Sequence, residues 1–159
     1  MRLSAILATV GWAAAEVLMR RSPAFDRLAR ASSTGGLTLA LVHVVLAFDR
    51  VYAWDHEAAV AGTAQQTAAV LGWGWRGGIF VNYLFLALWL GDVSWWWADP
   101  GSHLSRSPRV ELARLSLFTF MFVNAAIVFA PAPGRLVGIA ALAAVLFASP
   151  VLRPKTLDI

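Results

Sequence analysis

The sequence predicts an all-α protein, a polytopic transmembrane helix bundle of five spans. Three observations predict it. Only 14% of the 159 residues are charged and 59% are hydrophobic, whereas a soluble domain of this size carries about a quarter charged residues to cover its core. The apolar residues fall in five blocks near the roughly 20 residues needed to cross a hydrocarbon layer ~30 Å thick. The cations gather at the ends of those blocks, where a membrane protein needs them.

The first span covers about residues 3–19, broken only by Glu16 near its end. The second covers 36–54 and carries His43, Asp49 and Arg50, with Trp54 marking the interface. The third, 77–98, carries Asn82 and Asp92. The fourth covers 112–130 and the fifth 134–152, with Pro131 and Pro133 turning the chain between them and Pro150 predicting a kink or early stop. All five belong to one membrane domain spanning 1–159, with no separate soluble domain.

Residues 1–15 also fit a signal peptide, with a basic start, an apolar run and small residues. Cleavage there would leave four spans. Trp12 and Glu16 suit a signal peptide poorly, and Arg20–Arg21 reads as the flank of a retained span.

The link 55–76 is the one substantial external segment. From Glu57 to Leu71 it is rich in Ala and Gln, which favour helix, so a short helix at the outer interface is expected. Gly72, Gly74, Gly77 and Gly78 punctuate Trp73, Trp75 and Arg76. This set lacks the Lys-Ser/Thr ending of a phosphate-binding loop. It reads as a turn with two tryptophans at headgroup depth.

Orientation follows from the cations. Arg20, Arg21, Arg27, Arg30, Arg106, Arg109, Arg114, Arg153 and Lys155 would share one side, against Arg2, Arg76 and Arg135, with Arg50 a turn inside the second span. The positive-inside rule puts the larger group in the cytoplasm and the N-terminus outside, in a bacterial inner membrane. The net charge of +4 therefore reflects topology, and the cations form no aromatic-interleaved patch for nucleic acid. With no cysteine, disulfides and thiolate metal sites are excluded.

Ionisable groups inside spans cost about 2.5–3.5 kcal/mol each to insert, so each calls for a partner or a function. Asp49 and Arg50, adjacent on a helix, point ~100° apart and should seek different partners. If the helix continues past Trp54, Asp49 shares a face with His56. Asp49, Arg50, His56 and Asn82 then define a possible external ligand or metal site; a structural network docking the outer helix is the favoured alternative. His43, near mid-bilayer, would serve as a haem ligand or proton relay, or simply hydrogen-bond across a helix interface. His56 is ~20 Å further along a continuous helix, too far to share a metal with it.

The third span has the most regular stripe. Asn82, Phe85, Trp89, Asp92 and Trp96 recur at steps of 3 and 4 on one face. That face should pack inside the bundle or meet a membrane-protein partner or second copy through Asn82, Trp89, Asp92 and Trp96, with the two indoles able to donate to Asp92. Glu16 and Asp92 lie at comparable depth. They are expected either to share a proton or cation, or to pair with Arg20, Arg21 or Arg114.

No metalloprotease, nucleophile-elbow or histidine-box motif occurs. The first expectation is thus a non-enzymatic multi-pass protein, an accessory or scaffold subunit of a membrane assembly. A binding or transport protein using the external polar set comes second. A small redox or cofactor-binding subunit using His43 comes third. No cofactor is expected under the first reading; a metal enters with the external site of the second, and haem with His43 under the third.

Overall fold

The computed structural model describes residues 2–130 and 132–148 and is all-helical over them. Seven helices follow in order: α1 (Arg2–Arg21), α2 (Asp26–Arg50), α3 (His56–Leu71), α4 (Gly78–Ala98), α5 (Pro100–Leu104), α6 (Pro108–Val123) and α7 (Ala132–Ala148). Four helical stretches are long and apolar enough to cross a membrane: Leu3–Arg21, Pro23–Arg50, Gly78–Ala98 and Pro108–Val128. A fifth, Gly134–Ala148, is apolar but shorter. The expected turn residue Pro131, the stop at Pro150, and the cations Arg153 and Lys155 lie outside the described residues.

The long helices alternate in direction. α1 and α2 are antiparallel, since Gly11 faces Gly36 while Ser4 faces His43 near the far end. α4 reverses again, Trp89 meeting Ser33 and Trp96 meeting Asp26. α6 returns against α4 and α1, with Arg114 beside Asp92 and Glu16. α7 runs parallel to α1: Gly134 sits against Ile6 at one end, and Ala144 and Phe147 share a cleft with Val17 at the other.

Helix α1 is central. Its buried residues Ser4, Ala8, Trp12, Ala15 and Glu16 recur at helical spacing. Small residues let α2 approach it closely. A Cβ on Gly11 would lie 2.9 Å from the Gly36 Cα, and one on Gly36 would lie 3.0 Å from the Ala8 carbonyl and 3.1 Å from the Trp89 ring. Above this seam an aromatic core fills the bundle. Trp12 stacks on Phe122 (4.6 Å between centroids), and Phe85 and Trp89 meet Phe118 edge-on at 5.1 and 5.6 Å. Such stacked and edge-on pairs add to the stabilisation from apolar burial.

The boundaries depart from the sequence expectation at α2. The helix begins at Asp26, not near Gly36, and so absorbs Arg27, Arg30 and the segment Ser32-Ser33-Thr34. Small polar residues do not stop a helix whose backbone can take their hydroxyls. Thr34 donates to the Arg30 carbonyl (2.8 Å) and Thr38 to that of Thr34 (2.9 Å). The link from α1 shrinks to a 3₁₀ turn at Pro23–Phe25, with the Ser22 hydroxyl accepting from the Ala24 amide. At its other end α2 stops at Arg50 rather than Trp54. Ala53 (φ 48°) and Trp54 (φ 61°) adopt left-handed conformations that reverse the chain.

Helix α3 occupies the segment where a short helix is expected. Asp55 caps it, accepting from the Ala58 amide, and Gly72 (φ 80°) ends it in the left-handed conformation that glycine favours. Ala59 and Val60 bury against Ile79, with Phe48, Tyr52 and Tyr83 around them. Two features have no sequence counterpart: α5, and a π-helical turn at Asn124–Val128 that extends α6.

Candidate functional site

At the end of the bundle where α1 and α4 finish and α6 begins, seven polar side chains converge in a largely buried network. Glu16, 2% exposed, stands at its centre. Arg114 from α6 grips it with a two-pronged fork, Nη1 donating to Oε1 at 2.6 Å and Nη2 to Oε2 at 2.9 Å. Arg20, one turn on from Glu16, donates Nη2 to Oε2 at 2.7 Å. Two-point Arg–carboxylate contacts are among the stronger charge-assisted hydrogen bonds.

Glu111 forms the second node. It accepts from Arg20 at 2.8 Å, from Arg106 at 2.6 Å, and from Arg114 at 3.0 and 3.1 Å. Asp92, on α4, forms the third. Its Oδ1 is 3.1 Å from His103 Nε2, and its Oδ2 is 4.0 Å from Arg114. His103, fully buried, stacks on Trp96 with centroids 4.5 Å apart and planes 12° off parallel. Arg106 donates to the His103 carbonyl at 2.9 Å, and the same Nη1 lies 2.8 Å from the ring's Nε2 and 3.0 Å from its Nδ1.

The sequence explains the assembly locally. Asp99 caps α5, accepting from the Ser102 amide, and Pro100 starts it, so a single helical turn carries His103 back beneath Trp96. Ser107 and Pro108 start α6 in the same way and place Glu111 and Arg114 one turn apart on its inner face. Three carboxylates (Glu16, Asp92, Glu111) thus balance three guanidiniums (Arg20, Arg106, Arg114). Buried ions are stable only when paired and hydrogen-bonded in this manner.

Beside the network, α2 and α4 are joined by a ladder of indole donors. Trp89 donates to Ser33 (3.1 Å), Trp96 to Asp26 (2.9 Å) and Trp97 to Thr34 (3.0 Å). Arg30 pairs with Asp26 at 2.7 Å and lies 4.8 Å over the Trp97 ring. The expectation that the Trp89 and Trp96 indoles donate to Asp92 is therefore corrected. Both turn toward α2, and His103 meets Asp92 instead.

The other expected site residues disperse. Asp49 and Arg50 pair with each other at 2.8 Å, contrary to the argument from helical angle. At the exposed last turn of α2 the long arginine side chain can bend back to its neighbour, which the angle between Cβ directions does not prevent. The chain reversal after Arg50 also removes the shared face of Asp49 and His56. His56 instead opens α3, its ring 6.0 and 6.1 Å from those of Phe80 and Tyr83. Asn82 is exposed. Among the described residues neither Asp49 nor Arg50 bonds to His56 or Asn82. His43 Nδ1 lies 3.3 Å from the Ser4 hydroxyl of α1. Of the α4 stripe, Trp89 and Trp96 are buried and Asp92 is half-buried in the network, so that stripe turns inward and only Asn82 is left on the surface.

Glu16 and Asp92 do come together, through Arg114. His103, Arg106 and Glu111 are the members that sequence reasoning missed. The Glu111–Arg114 spacing and the proline-started turn carrying His103 were the available signals. Among the described residues no three His, Asp or Glu side chains group so as to hold a metal ion. Comparison with known protein families, curated proteins and solved structures finds no match.

Proposed function

We propose that this chain is a non-enzymatic multi-pass protein of the bacterial inner membrane, an accessory or scaffold subunit of a larger membrane assembly. In this reading α1, α2, α4, α6 with its π turn, and α7 are five crossings. The N-terminus lies outside, the network end faces the cytoplasm, and α3 rests at the outer interface. The burial of Trp12 and Glu16 on α1 supports its retention as a span rather than its loss as a signal peptide.

One observation carries the proposal. The deepest ionisable side chains of the long helices, Glu16, His43, Asp92 and Arg114, are each partnered within the chain. A transporter or membrane enzyme would place such costly groups along an open path; here they tie helices together around a filled aromatic core. The outward faces carry Leu41, Val45, Leu84, Leu88 and Phe120, a surface suited to lipid or to a neighbouring membrane helix.

Purification from native membranes in mild detergent tests this reading. A stoichiometric membrane partner is expected to co-purify. A lone monomer that supports solute flux when reconstituted into liposomes would overturn it.

A further inference from the structure

At the network end, a cleft of about 480 Å³ between α1 and α7 is lined by Val17, Arg20, Arg21, Ala144, Phe147 and Ala148. Its chemistry is two-sided. Arg20 and Arg21 bring guanidiniums to the mouth, while Val17, Ala144 and Phe147 form an apolar wall; Phe147, 84% exposed, is the most exposed large apolar side chain among the described residues. The two arginines differ in what they have left to give. Arg20 directs Nη2 to Glu16 and Glu111, and its Nη1 makes no hydrogen bond among the described residues. Arg21 is exposed and meets no carboxylate among them. The three network carboxylates are matched by Arg20, Arg106 and Arg114, and Arg21 adds a further positive charge at the cleft with no ion pair among the described residues.

We propose that this cleft binds one phospholipid of net negative charge. Its headgroup phosphate lies against Arg21 and Arg20 Nη1, and an acyl chain runs along Val17, Ala144 and Phe147. The inference rests on the membrane reading above, which puts the mouth at headgroup depth in the cytoplasmic leaflet. Basic pockets between membrane helices on that side are suited to anionic headgroups, each cation adding to the attraction. A free phosphate would use the arginines but leave the apolar wall uncovered, so the occupant is a lipid.

Native mass spectrometry of the delipidated full chain, titrated with phosphatidylglycerol or phosphatidylcholine, tests the site. The wild type is expected to take up one phosphatidylglycerol with a preference of about tenfold. Arg21→Gln should abolish the preference and Ala144→Phe, which fills the cleft without touching charge, should lower lipid occupancy. Arg109→Gln, an exposed arginine on α6 outside the cleft, should change neither. Equal losses from Arg21→Gln and Arg109→Gln would overturn the proposal, as would an unaffected Ala144→Phe variant or displacement of the lipid by excess inorganic phosphate. Arg20 is left intact because its removal would open the network. Alkaline carbonate washing of membranes keeps the two readings apart. A chain that stays in the membrane yet shows no lipid preference lacks only this site, whereas a chain that is washed out fails the membrane reading itself.

Discussion

Glu16 is the residue on which the network end of the bundle depends. Its carboxylate faces two guanidiniums where water is excluded, so removing its charge leaves Arg114 and Arg20 to share Glu111 with Arg106. Breaking one member of a buried ion pair costs about 3–5 kcal/mol. Glu16→Gln should therefore lower the thermal midpoint in detergent sharply, read by tryptophan fluorescence. Asp92→Asn should cost less, since Asp92 is 4.0 Å from Arg114 and its close contact is with His103. Replacing both Glu16 and Arg114 by leucine should recover much of the loss, because a well-packed apolar pair often equals a buried ionic one. A double variant no more stable than Glu16→Gln would show that the remaining charges, Glu111 and Arg106 included, need Arg114. Trp89→Phe is subtler: it keeps the aromatic packing but leaves the buried Ser33 hydroxyl without its donor, a cost of about 1–3 kcal/mol on the same thermal assay.

At the scale of elements, the α1–α2 seam decides how closely two long helices approach. A methyl on Gly11 would fall 2.9 Å from backbone, which cannot swing aside as a side chain can. Gly11→Ala should therefore part the helices and reduce yield and thermal stability. Gly35→Ala, one residue from the seam with nothing within 4 Å, should be neutral or stabilising by up to about 1 kcal/mol through helix propensity. Equal behaviour of the two variants would contradict the seam. Elements were legible in the sequence to different degrees. The apolar runs of α1, α4 and α6 announce themselves through length and hydrophobicity. The start of α2 did not, because Ser32, Ser33 and Thr34 look like a linker until Trp89 and Trp97 arrive from another helix to use Ser33 and Thr34. The π turn and α5 depend on local packing and capping that apolar periodicity does not register.

For the whole molecule, the proposed five-crossing arrangement predicts which segments meet the outside. The chain has no native cysteine, so single cysteines report topology cleanly. Gln66→Cys on α3 should react with a membrane-impermeant maleimide in intact spheroplasts, and Ser107→Cys, between α5 and α6, only after lysis. Labelling of both before lysis, or the reverse order, would refute the orientation. The cations that argue for it have a second use. Arg20, Arg106 and Arg114 mark the cytoplasmic side in the positive-inside count, yet in the folded bundle they are buried against Glu16, Glu111 and Asp92. Separating charges that serve topology from charges that serve structure is therefore not possible by position alone.

The sequence by itself determined that the long helices are apolar enough to cross a membrane. Few charges, long apolar blocks and cations at their ends follow from hydration energies that act residue by residue, whatever the helices later touch. It also marked Glu16 and Asp92 as groups needing a reason. Only the tertiary structure decided what that reason was, because a buried charge is defined by its partners, and Glu16 finds Arg114 ninety-eight positions away. The same holds for the external set. Asp49 and His56 were joined by assuming one continuous helix, and the left-handed turn at Ala53 and Trp54 separates them. Hydrophobicity is local and additive enough to read along a chain; the pairing of charges and the direction of a turn are settled by which surfaces meet.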